Sequence, residues 1–195
     1  MNQEERRTSK ETRTVRMELR AAEDPDSRTI EGYAAIYGSE SVELWGFNEI
    51  IEPGAFDEAD LSDVRALFNH DPNQILARSK SGTLELVLDE KGLKYRFDAP
   101  ESPVGDHVLT MVRRGDISES SFCFVIVEDS WEDRGDELPL RHLRKIGVVH
   151  DIAPVTYPAY EKTSATARSL EKFTKSNDSY VDDGLMASLD ILELQ

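Results

Sequence analysis

The sequence predicts an α+β domain, a small, mostly antiparallel β-barrel core flanked by a few short helices. Three observations predict it. Several short segments alternate apolar and polar residues with a period of two, clusters of turn-forming residues separate them, and one stretch near residue 103 has helical spacing with signals at both ends. Together they suggest about eight or nine strands and two or three short helices, for which closure as a small barrel is the natural arrangement.

Along the chain, residues 1–13 are polar, with clustered Arg and Lys, and read as a disordered leader. Val15, Met17 and Leu19 alternate with charged residues, EDPDSR has turn chemistry, and Ile30, Gly32, Ala34 and Ile36 share one face, so residues 14–37 read as a hairpin. NEIIEPGAFDEADL predicts a short strand at Glu49–Ile51, a break at Pro53-Gly54 and a short helix from Ala55 to Leu61. VRALFNHD is a compact strand whose polar end carries Asn69, His70 and Asp71. The clearest hairpin follows: Leu84, Leu86 and Leu88 alternate, Glu90-Lys91-Gly92 turns, and Leu93, Tyr95 and Phe97 alternate back. Ser102 is an N-cap with Pro103 at the first helical position; Val104, Val108, Met111 and Val112 form a stripe, and Gly115 ends the helix. SSFCFVIVED is a strand with Phe122, Phe124 and Ile126 on one face. EDRGDELP is an exposed loop, and LRHLRKIGVVHDIAPVTYPAY supplies one or two closing strands, interrupted at Pro154 and Pro158. Residues 169–195 read as an acidic linker with an amphipathic tail, which leaves 14–168 as the folded domain.

Charge and composition narrow the function. The 195 residues carry a net charge of −16, which argues against a nucleic-acid partner because phosphate repulsion would have to be overcome. No apolar run is long enough for a membrane span, and no apolar segment marks a secretory signal, so no membrane partner is expected. One cysteine excludes an internal disulfide or a multi-cysteine metal centre, and no histidine spacing suits a metal, so no metal or other cofactor is expected.

Two of the four histidines, His70 and His150, lie at the polar ends of apolar strands and are each followed by Asp. His107, beside an apolar helix stripe, and His142, in a basic strand, read as structural and solvated. Residues 115–124 run from the end of a helix into a buried strand and place Ser118, Ser120, Ser121 and Cys123 at that entry. A serine needs an adjacent base to lose its proton during attack, and histidine, oriented by a further polar group, is suited to that task. A thiol nucleophile at Cys123 is disfavoured by its position inside the strand.

FNHDPNQILARSKSGTLELVLDEKGL, RRGDISESSFCFVI and VVHDIAPVTYPAYEKTSATAR, preceded by EGYAAIYGSES and NEIIEPGAF, resemble the prohead protease family of tailed bacteriophages, which is related in fold to the herpesvirus assembly proteases. The resemblance runs from about Val15 to Arg168. It implies a herpesvirus-protease-like β-barrel serine endopeptidase that cleaves scaffold and major capsid protein, and itself, inside the prohead in the host cytoplasm. It leaves room for self-association there. By motif position it implies His70 as base, Ser121 as nucleophile and Asp151 as third member, with His150 as rival for the third role. The family often has Met where this chain has Ser120 and Gly where it has Cys123, which leaves Ser120 as an alternate nucleophile. Alternation favours Ser121, because it points opposite to Phe122 and Phe124. Oxyanion donors are expected among backbone N–H groups. A non-catalytic scaffold or assembly factor that keeps the fold is the competing reading.

Overall fold

A computed structural model describes residues 10–15, 19–44, 46–157 and 170–175. The leader before Lys10, Met17, Pro158 and the tail beyond residue 175 lie outside the described residues. The elements, in chain order, are β1 (Lys10–Val15), β2 (Arg20–Ala21), β3 (Thr29–Ile36), β4 (Asn48–Ile51), β5 (Arg65–Leu67), β6 (Ile75–Arg78), β7 (Leu84–Leu88), β8 (Gly92–Asp98), α1 (Pro103–Arg114), β9 (Glu119–Glu132) and β10 (Leu140–Val155). The described residues up to 157 belong to one compact unit; the helical turn at 170–175 belongs to a second.

The strands form two sheets instead of one closed barrel. The larger has the order β1-β9-β10-β5-β6, with β4 also on β10; the smaller is β2-β3-β8-β7. A bridge between Tyr37 and Ile51 links them at a corner. All pairings are antiparallel except those of β4 and β5 with β10. The long β9–β10 ribbon shifts register at several points between Leu143 and Asp151. Such bulges bend a sheet and increase its twist, which curls this one into a half-barrel while β1 and β6 remain edges. One apolar cluster is shared by both sheets and the helix. It includes Ile30, Leu93, Tyr95 and Phe97 from the small sheet, Phe122, Phe124 and Ile152 from the large one, and Val108, Leu109 and Val112 from α1.

Local chemistry explains most elements. In the β7–β8 hairpin, Leu84, Leu86 and Leu88 face Phe97, Tyr95 and Leu93. Gly92 closes it at φ 154°, where an added Cβ would lie 2.1 Å from the Ala35 carbonyl oxygen. The Ser102 hydroxyl accepts from the Gly105 N–H, and Gly115 ends α1 in a left-handed conformation.

Four expectations change. The 14–37 hairpin shrinks to β2–β3, paired Arg20↔Glu31 and Ala21↔Ile30, and β1 pairs instead with β9 across more than a hundred residues. Residues 10–13 of the expected leader belong to β1, where Glu11 and Arg13 are buried against charged partners and not solvated. No helix forms at Ala55–Leu61. Bonds from the N–H groups of Ala55, Asp57 and Ala59 to the carbonyls three residues back make successive tight turns, with Gly54 at φ 86°. These turns place Ala55 and Phe56 in the core. Finally, β10 continues through Pro154, which pairs with Ser120; β5 leaves β10 after Ile152, so no partner on that side needs the N–H that proline lacks.

Candidate active site

Three segments far apart in sequence meet on one face of the large sheet. β9 and β10 pair Ser121 with Ala153 and Cys123 with Asp151, and residues directly opposite in an antiparallel pair share a face. Ser121 and Asp151 therefore project to the same side. β5 runs parallel to β10, pairing Arg65 with Asp151 and Ala66 with Ile152, so the chain leaving Leu67 arrives beside the end of β10. There it makes a tight turn through Phe68, Asn69 and His70. Asn69 and His70 both take left-handed backbone angles, φ 53° and 58°. The next turn is built by Asp71, whose carboxylate accepts from the Asn73 N–H.

This turn carries the imidazole into the space between the two strand residues. His70 Nδ1 lies 2.5 Å from Asp151 Oδ1, and His70 Nε2 lies 2.6 Å from Ser121 Oγ. The His70 and Asp151 side chains keep 21% and 15% of their surface exposed, whereas Ser121 is fully buried. The Ser121 hydroxyl is also 2.9 Å from the Arg13 carbonyl of β1. One hydroxyl proton cannot serve both acceptors. Donated to the carbonyl, it leaves the imidazole as donor to Oγ. Donated to Nε2, with the Nδ1 proton held by Asp151, it gives an oxygen ready to attack as its proton departs.

The alternates sit elsewhere. Ser120 points to the opposite side, where its hydroxyl pairs with the buried Tyr95 hydroxyl at 2.6 Å. Burial raises the Tyr95 pKa well above the ordinary phenol value and keeps the group neutral. The imidazole of His150, next to Asp151 in the chain, makes no hydrogen bond among the described residues. Burial lowers its pKa, helped by Lys10 and Arg65 and opposed by Asp151. Cys123 is buried on the same face as Ser121, opposite Asp151 in register.

Two other histidines have partners. His107 packs edge-on against Phe68, the residue that opens the His70 turn. His142, expected to be solvated, lies between Glu52 and Glu132 at 2.5 and 3.0 Å.

Sequence reasoning missed the groups that hold this face in place. Asn69 ties its carboxamide to Thr156, giving to Oγ1 at 3.2 Å and accepting from the N–H at 2.9 Å. The available signal was the residue type, since asparagine tolerates left-handed backbone better than most. On the core side of the sheet, Arg13 binds Glu11 and Glu49, and Arg141 binds Glu11, Glu49 and Asp129. Nothing in the sequence marks those charges as buried.

Against known proteins, a family model described as caudovirus prohead serine protease matches residues 15–176. No curated protein matches. Among solved structures, the bacteriophage T4 capsid assembly protease gp21 is similar with a TM-score of 0.41 and 14% identity, covering 73% of this chain and 98% of that one.

Proposed function

The chain belongs to the caudovirus prohead serine protease family, a phage protease of capsid maturation, and on that premise we propose a serine endopeptidase built on Ser121, His70 and Asp151. The carrying observation is the unbroken run of hydrogen-bond contacts from carboxylate to imidazole to hydroxyl, 2.5 and 2.6 Å. Ser121 Oγ attacks the scissile carbonyl carbon while His70 Nε2 takes its proton. Asp151 holds the Nδ1–H and stabilises the imidazolium that forms. His70 then gives the proton to the departing amine, leaving an acyl group on Ser121, and water repeats the sequence to free the enzyme. Ser120 is a structural partner of Tyr95 in this reading, and His150 is outside the proton path.

The substrates that fit the family are scaffold and major capsid protein segments enclosed with the enzyme in the immature shell, and the enzyme's own chain. The fold relationship to herpesvirus assembly proteases that the motifs imply belongs to the same reading.

Co-expression with a phage scaffold protein, with products read by mass spectrometry, tests it. Ser121→Ala and His70→Ala should each cut the cleavage rate by on the order of a millionfold. Asp151→Asn should lower it by on the order of ten-thousandfold. Ser120→Ala should keep cleaving. If Ser121→Ala yields the wild-type product set, Ser121 is not the nucleophile and the enzyme reading fails.

A further inference from the structure

We propose that Asn69 is a positioning residue: its clamp on Thr156 fixes the imidazole of His70 between Asp151 and Ser121. The starting point is a backbone outlier. Asn69 and His70 are the two non-glycine residues with positive φ among the described residues, and they are consecutive. Such a conformation persists only where surrounding contacts impose it. Asparagine and histidine both enter this region more readily than most residues, but two in succession still need contacts to hold them there.

The surrounding bonds show what imposes it. The Phe68 N–H gives to the Gln74 carbonyl and the Asp71 N–H gives to the Phe68 carbonyl, so both flanks of the turn are anchored. Between them, Asn69 bonds through its side chain to Thr156. Thr156 lies one residue past the end of β10 and five past Asp151. This two-point contact thus joins the turn carrying the imidazole to the chain just past the strand carrying the carboxylate. Removing it allows the turn to relax towards ordinary backbone angles, which swings the Cα–Cβ bond of His70 and separates Nδ1 from Asp151.

The kinetic part of this inference rests on the proposed roles of His70 and Ser121; the geometric part does not. The test therefore reads both in the full-length protein. Asn69→Gly keeps the left-handed backbone accessible and deletes the clamp. Asn69→Asp keeps the acceptor for the Thr156 N–H, and Thr156→Val deletes Oγ1 alone.

Asn69→Gly should lower kcat on a scaffold-derived peptide by roughly a hundredfold with little change in KM, as expected for a misplaced base. The other two variants should lose less. In proton NMR the downfield Nδ1–H resonance of His70, present when that proton is held by Asp151, should weaken or disappear in Asn69→Gly. Should Asn69→Gly fail to fold, Asn69→Asp and Thr156→Val carry the same readouts. An unchanged Nδ1–H resonance in folded variants overturns the proposal, as does a loss of activity that only follows a lower melting temperature. If His70→Ala still cleaves, the catalytic reading is what fails, and the resonance in Asn69→Gly still decides the clamp.

Discussion

At the scale of single residues, adjacent serines have opposite surroundings. Strand alternation sends Ser121 towards His70 and Ser120 towards Tyr95. That separation was legible in the sequence, because Phe122 and Phe124 fix which side of the strand faces the core. The Ser120–Tyr95 partnership was not, since it joins two strands of different sheets. Tyr95→Phe removes one member of a buried pair and leaves the Ser120 hydroxyl without it, which should cost about 1–3 kcal/mol. Chemical denaturation measures that loss, and cleavage by the folded protein should persist. The motif FNHD pointed to a histidine at a strand end, but not to the left-handed turn that aims it. Periodicity carries no record of a single φ angle.

At the scale of elements, legibility followed the chemistry of the buried face. The β7–β8 hairpin and α1 were readable because apolar residues recur at the right period between recognisable turns and caps. β1 was not, because its inward side chains are Glu11 and Arg13. Burial alone would lower the pKa of the Arg13 guanidinium, but Glu49 and Glu11 more than offset it, so its pKa is held above the ordinary value. Removing one partner strands the others in a dry site. Arg141→Met should therefore destabilise the fold by about 3–5 kcal/mol, measurable by denaturant titration. The turn chain at 52–61 escaped detection because its short apolar pair, Ala55 and Phe56, suits a helix and a buried turn equally. Gly92→Ala should also destabilise, through its clash with the Ala35 carbonyl, and the melting temperature would report it.

At the scale of the whole molecule, topology was the least legible property. The pairing of β1 with β9 and the parallel placement of β4 and β5 on β10 depend on contacts distant in sequence. The charge distribution nevertheless makes acid stability predictable. Arg20 and Lys94 hold Glu31 below its ordinary range despite its burial. Asp63 is lowered to about 2, chiefly by Arg78, and Asp89 by the Tyr33 hydroxyl. The unfolded chain binds these protons at higher pH than the folded one. Their stabilisation is therefore complete above about pH 4–5 and lost as pH falls through the folded values. His150 is a base whose pKa is lowered on folding. The unfolded chain takes up its proton first, so stability also declines as pH drops below about 6.5. Melting temperature against pH should fall in two stages, and His150→Gln should flatten the upper one. A last consequence follows from the burial of the Ser121 hydroxyl against the Arg13 carbonyl. A phosphonylating reagent aimed at that oxygen must wait for the first strand to draw back. Its labelling rate should level off as reagent concentration rises, and the plateau would time the opening of the latch.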